Sequence, residues 1–98
     1  MLTIQTKNTH DRVGIVIKLG KSRLSLGWNR YSDSVSSSTD VDQNDVKRAA
    51  RAWSKIRDLT VDDSLGVRQN KIIAKIEKSP TIAEAVNTLE LMAANWKG

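Results

Sequence analysis

The sequence predicts an α+β fold, in which a three-stranded antiparallel sheet comes first and about three helices follow. Apolar and polar residues alternate through the first third of the chain, which is the pattern of strands with one buried face. In the second half, apolar residues recur at helical spacing. Strands that precede helices, rather than alternating with them, favour an α+β architecture. Because the chain has only 98 residues, we assign the whole of 1–98 to a single small domain.

The predicted sheet occupies residues 1–31. Ile15 and Ile17 share one face of a central run that is rich in β-branched residues. The residues Gly20–Ser22 predict a hairpin turn between this run and the next one, in which Leu24 and Trp28 again share a face. We therefore expect three strands, at Leu2–Thr6, Arg12–Leu19 and Arg23–Tyr31.

The predicted helical part occupies residues 45–96. It follows a segment, 32–44, whose Ser and Asp residues are typical of a loop and of helix caps. Apolar residues from Val46 to Ile56 fall on one helical stripe, and Pro80 separates the last two helical patterns. We expect helices at about Asp45–Leu59, Leu65–Lys78 and Thr81–Asn95.

The composition excludes several kinds of chemistry. The chain has no Cys, so disulfides, thiolate metal sites and cysteine nucleophiles are absent. Its single histidine, His10, lies in a polar stretch with no nucleophile motif beside it, and we interpret it as a solvated loop residue. No apolar run is long enough to cross a membrane. These features favour a cytoplasmic (intracellular) protein that is not an enzyme and takes no cofactor or small-molecule substrate.

One acidic segment has the beginning of a calcium-binding loop. Asp40–Asn44 matches the D-x-D-x-N opening of such a loop. The pattern then fails, because Asp45 stands where the loop requires Gly and Arg51 where it requires Glu. We therefore expect no metal site and interpret the cluster as capping for the helix that follows.

The positive charge is concentrated in two segments. The net charge is +5 for the chain, and it resolves into +5 for residues 1–31, −4 for 32–45 and +4 for 46–60. If the apolar strand residues pack inward, the other sheet face is basic, and a β-ribbon with such a face can enter the major groove of DNA. A basic ridge on the first helix can bind phosphates. The candidate DNA-binding residues on the two surfaces are Lys18, Lys21, Arg23, Ser25, Arg30, Arg48, Arg51 and Lys55.

Part of the sequence resembles a known DNA-binding domain. The stretches GIVIK at 14–18, SRLSLGW at 22–28, RYS at 30–32 and DVKRAARAW at 45–53 are similar to the N-terminal arm-type DNA-binding domain of tyrosine recombinases, the phage integrases. The resemblance covers about residues 13–58. It implies a sheet in the major groove, followed by a helix, in a DNA-binding module of phage or mobile-element type. The sequence departs from that family in two respects: it lacks a clean third strand after Tyr31, where the Ser-rich segment intervenes, and it lacks the recombinase Arg-His-Arg-Tyr constellation.

A second hypothesis stays open beside DNA binding. A non-catalytic protein-interaction or inhibitor protein, such as a phage-type anti-host or regulatory factor, has the same size and charge. Such a protein would use a protein partner or a homodimer, formed by the helix at Thr81–Trp96. The apolar stripe that we assign to that interface, or else to the core, is Ile82, Val86, Leu89 and Trp96.

Overall fold

The computed structural model describes residues 2–9, 12–29, 32–59 and 64–96, except for the side chain at position 65. Within these ranges the chain forms an antiparallel sheet followed by three helices, as the sequence predicts. The strands are β1 (Thr3–Asn8), β2 (Val13–Leu19), β3 (Ser22–Trp28) and β4 (Asp33–Ser37). The helices are α1 (Gln43–Leu59), α2 (Leu65–Ile76) and α3 (Ile82–Asn95).

The sheet is a meander in the order β1-β2-β3-β4, and all neighbouring strands are antiparallel. In the central hairpin, Ile15 lies opposite Leu26 and Ile17 opposite Leu24. The hairpin closes through Gly20, whose φ of +60° lies in the left-handed region that glycine adopts without strain. The predicted hairpin is therefore confirmed, and its register places the apolar residues of both strands on one face.

The predicted number of strands is wrong, because the sheet has four strands rather than three. The extra strand, β4, lies within the segment 32–44 that the sequence predicts as a loop. Its single apolar residue, Val35, lies opposite Leu26 and packs against the core. Serine is a weak strand former, so this strand depends on hydrogen bonding to β3 rather than on its own propensity. The third predicted strand ends at Tyr31, whereas β3 ends at Trp28; positions 30 and 31 lie outside the described residues.

The helices begin at side-chain caps. The Asp42 carboxylate accepts a hydrogen bond from the backbone N–H of Asn44 at 2.8 Å, so α1 starts two residues earlier than predicted. The Ser64 hydroxyl accepts from the N–H of Val67 at 3.1 Å and begins α2, which ends at Ile76 rather than at the predicted Lys78. The Thr81 hydroxyl accepts from the N–H of Glu84 at 3.1 Å and begins α3, as the capping-box spacing of these two residues favours.

All three helices pack on the same face of the sheet and form a single core with it. At its centre Trp28 of β3 stacks on Trp53 of α1, with 3.4 Å between ring centroids and 8° between ring planes. The Trp53 indole N–H also donates to the Gly27 carbonyl at 3.1 Å. The guanidinium of Arg68 on α2 lies over the Trp28 ring at 5.1 Å from its centroid. Helices α1 and α2 therefore reach the sheet through large side chains, and none of the three described helices lies on the opposite sheet face.

Candidate nucleic-acid interface

The sheet presents two faces of different chemistry. Alternate residues along a strand point to opposite faces, so the register sorts every strand residue. The inner face carries Ile15, Ile17, Leu24, Leu26 and Trp28 against the helices. The outer face, by the same register, carries Thr3, Gln5, Lys7, Gly14, Val16, Lys18, Arg23, Ser25, Gly27, Ser34 and Ser36.

The outer face is basic and contains no carboxylate among its described residues. Its cations are Lys7, Lys18 and Arg23, and none of the three forms an ion pair within the described parts of the chain. The acidic residue of β4, Asp33, points to the other face, where it accepts from Arg57 of α1 at 3.1 Å. The sheet therefore separates its charges by face, with Lys7 and Arg23 exposed and Lys18 half-buried on the outer side.

Small residues lie at the middle of the outer face. Gly14 and Gly27 are directly opposite each other on the two central strands. A Cβ atom at Gly14 would lie 3.3 Å from the Lys7 carbonyl oxygen, and one at Gly27 would lie 3.3 Å from the Ser34 hydroxyl. The result is a shallow depression of about 280 Å³, lined by the glycines together with Ser25, Ser34, Ser36 and basic side chains at its rim. A flat or convex ligand can approach the backbone there.

The four predicted sheet residues that the structure describes lie on or beside this face. Lys18 and Arg23 are opposite each other on β2 and β3, and Ser25 lies two residues further along β3. Lys21 is exposed at the hairpin tip. The fifth predicted sheet residue, Arg30, lies outside the described residues.

Sequence reasoning missed further residues of the outer face. The predicted first strand ends at Thr6 and therefore leaves out Lys7. In the structure β1 extends to Asn8, and Lys7 continues the outward alternation of Thr3 and Gln5. Ser34 and Ser36 are missed because their segment is predicted as a loop. The alternation around Val35 is the one signal that could have found them.

The predicted ridge on α1 belongs to a different part of the molecule. Arg48 does not stand on a free basic surface, because its guanidinium donates to Asp45 at 3.0 Å, to Glu90 at 3.0 Å and to the Asn87 side-chain oxygen. These bonds raise the pKa of Arg48 and lower the pKa of Glu90, chiefly through the hydrogen bond that joins the two. Arg51 and Lys55 are exposed. Since α1 packs on the inner face, the structure does not bring this ridge together with the outer face.

Only part of the acidic cluster caps the helix, whereas the sequence predicts capping for the cluster as a whole. Asp42 caps α1, but Asp40 does not: it accepts hydrogen bonds from the hydroxyls of Ser38 and Ser22, the latter at 2.8 Å. These bonds hold the pKa of Asp40 below its usual value, and the charge of Lys21 lowers it further. Asp40 thus ties the β2–β3 hairpin to the connection between β4 and α1.

In the described ranges, no three His, Asp or Glu side chains are grouped so that they could hold a metal ion. Among the helices described, none is both long and apolar enough to cross a membrane. No protein-family model matches the sequence, and comparisons with curated proteins and with solved structures give no match.

Proposed function

We propose that this protein is a small DNA-binding module of phage or mobile-element type, and that its outer sheet face contacts duplex DNA. The observation that carries the proposal is the sorting of charge by the sheet. Lys7, Lys18 and Arg23 lie on a face with no described carboxylate and no helix over it, while Asp33 is turned inward to Arg57. A polyanion is the partner that such a surface suits.

The dimensions of the face fit the major groove. Neighbouring strands lie about 5 Å apart, and the groove is about 12 Å wide, so the two central strands can enter together. The depression at Gly14 and Gly27 allows close approach of base edges. The hydroxyls of Ser25 and Ser36, which lie opposite each other, can donate to or accept from bases. Lys7, on the flanking strand β1, is placed for the phosphates beside the groove.

The resemblance to the arm-type domain of tyrosine recombinases adds support. That family has a sheet strand in the segment where this chain forms β4. Lys18, Arg23 and Ser25, which the resemblance assigns to the groove, share the outer face. A free-standing module of this kind binds DNA without cutting or joining it.

The proposal is tested by titrating a labelled duplex at two salt concentrations. Binding should weaken as salt rises, with a slope of about −0.9 for each phosphate contact in a plot of log affinity against log salt. The double variant Lys18→Ala/Arg23→Ala should weaken binding and reduce the magnitude of that slope by about 1.8. The proposal is wrong if the unaltered protein does not bind duplex DNA at low salt.

Two further double variants locate the interface. Lys47→Ala/Lys78→Ala removes the same charge from exposed positions on α1 and beyond α2, and should leave the slope unchanged. Arg51→Ala/Lys55→Ala tests the ridge that the sequence predicts on α1. A loss in this variant equal to that of Lys18→Ala/Arg23→Ala would move the interface from the sheet to the helices.

A further inference from the structure

A second surface of the molecule is a groove between α2 and α3. Its volume is about 550 Å³, and its lining is mostly apolar. Leu91 is 64% exposed there, although it is a large aliphatic side chain. The lining includes Lys71, Lys75, Leu91, Met92 and Trp96.

This groove is not the surface that the sequence predicts for a dimer. Of the stripe predicted on the last helix, Ile82, Val86 and Leu89 are buried in the core and are not available to a partner. Trp96 alone of that stripe lines the groove. The apolar surface of the groove therefore comes from the neighbouring positions, the exposed Leu91 and the partly buried Met92.

The charged residues in the described lining of the groove are of one sign. Lys71 and Lys75 lie one helical turn apart on α2, and no carboxylate is among the lining residues that the structure describes. The ammonium group of Lys71 lies over the Trp96 ring at 5.6 Å from its centroid. The Trp96 indole N–H is buried and has no acceptor among the described residues. Both features suit a ligand that brings apolar side chains together with negatively charged oxygen atoms.

We infer that the α2–α3 groove binds an acidic amphipathic helix of a partner protein. Two helices that border an apolar groove can receive a third, whose side chains at i, i+3, i+4 and i+7 fill it. Acidic residues on the flanks of that third helix lie beside the positive charges of Lys71 and Lys75. A second copy of this chain is the poorer occupant, because it would bring a net charge of +5 and its own groove lysines to the same interface.

This inference is independent of DNA binding. The groove lies in the helical layer, whereas the proposed DNA face is the opposite side of the sheet. Both surfaces can therefore be occupied at once, and each can be removed without the other.

The probe is a fluorescein-labelled peptide of about 16 residues, four to five helical turns long, with Leu at i, i+3, i+4 and i+7 and Glu at the flanking positions. It should bind the whole chain, and the amide NMR signals that shift should be those of α2 and α3. Leu91→Ser, a change at an exposed position, should weaken binding about tenfold or more. Lys71→Gln/Lys75→Gln should weaken it in the same direction.

Matched peptides and variants separate this site from general attraction to a basic protein. A peptide with Lys in place of Glu, and one with Ser in place of Leu, should both fail to bind. Lys18→Gln/Arg23→Gln removes the same charge from the outer sheet face and should leave peptide binding unchanged. The inference is overturned if the Ser peptide binds as well as the Leu peptide, or if the shifted signals lie on the sheet. Self-association that Leu91→Ser abolishes would overturn it in favour of a second copy.

Discussion

The two faces of the sheet differ in almost every physical property, although their residues alternate along the same strands. On the inner face, the five residues of β2 and β3 that belong to the buried core cluster shared with the helices are at most 1% exposed. On the outer face, the same strands present Lys18, Arg23, Ser25 and two glycines. The exception is Val16, which points outward yet is only 4% exposed. One strand thus serves folding with one set of residues and, in the proposed function, contacts DNA with the other, so substitutions on the two faces should have separable effects.

The largest effect is expected at the centre of the inner face. Trp28→Ala removes a fully buried ring that stacks on Trp53 and lies beneath the Arg68 guanidinium. Loss of a buried Trp costs about 3–5 kcal/mol, a large fraction of the stability of a domain of this size. Urea unfolding followed by circular dichroism would measure the change. A loss below about 1 kcal/mol would show that the two layers do not depend on this stack.

A smaller loss of stability is expected where α2 meets the ends of β1 and β2. The buried Gln69 amide donates to the Asn8 side-chain oxygen at 2.9 Å and to the Gly14 carbonyl at 2.8 Å. Gln69→Ala leaves both acceptors without this donor and should cost about 1–3 kcal/mol in the same urea experiment. The matched control is Gln5→Ala on the outer face, which should stay within about 0.5 kcal/mol. Equal losses for the two variants would contradict the difference between the faces.

The third prediction concerns a substitution that should change DNA affinity without changing the free energy of unfolding. Ser25 lies at the centre of the outer face, next to Val16 on β2 and Ser36 on β4. Ser25→Glu places a negative charge where the proposal puts DNA, so duplex affinity should fall about tenfold or more. The unfolding free energy should change by no more than about 1 kcal/mol. Ser25→Thr, which keeps a hydroxyl and adds no charge, should retain binding, and a similar loss in both variants would argue against an electrostatic cause.

Sequence patterns predict well the elements that depend on residues near one another in the chain. The hairpin at Gly20, the three helices and the cap at Thr81 all follow from residues that are close together in the chain. What the patterns miss depends on partners that are distant in sequence. β4 forms because β3 provides a pairing edge for a Ser-rich segment. Helical spacing alone predicts that Arg48 belongs to an exposed basic ridge. In the structure its guanidinium donates a hydrogen bond to Glu90 of α3, which is 42 residues away in the sequence.

The smallest predicted effect concerns that pair, and it depends on pH. The bond from Arg48 lowers the pKa of Glu90 in the folded chain below its ordinary value of 4.5. A carboxylate with a lowered folded pKa stabilises the fold above its unfolded pKa, and this contribution is lost as the pH falls through the folded pKa. The stability difference between the unaltered protein and Glu90→Gln should therefore be constant near neutral pH and shrink below pH 4.5.

Urea unfolding of both proteins from pH 7 to about pH 3 measures this difference. Since the Glu90 side chain is 43% exposed, the change should be small and should weaken further in high salt. A difference that stays constant down to the lowest pH would mean that Glu90 is not held by Arg48 in solution. Asp45 and Asn87 would then be the remaining partners of Arg48, and Arg48→Ala should weaken DNA binding only if the guanidinium leaves them too, as the sequence-predicted ridge requires. If the pair is intact, Arg48→Ala should lower stability and leave the affinity for duplex DNA unchanged, because the proposed DNA contacts are those of the outer face.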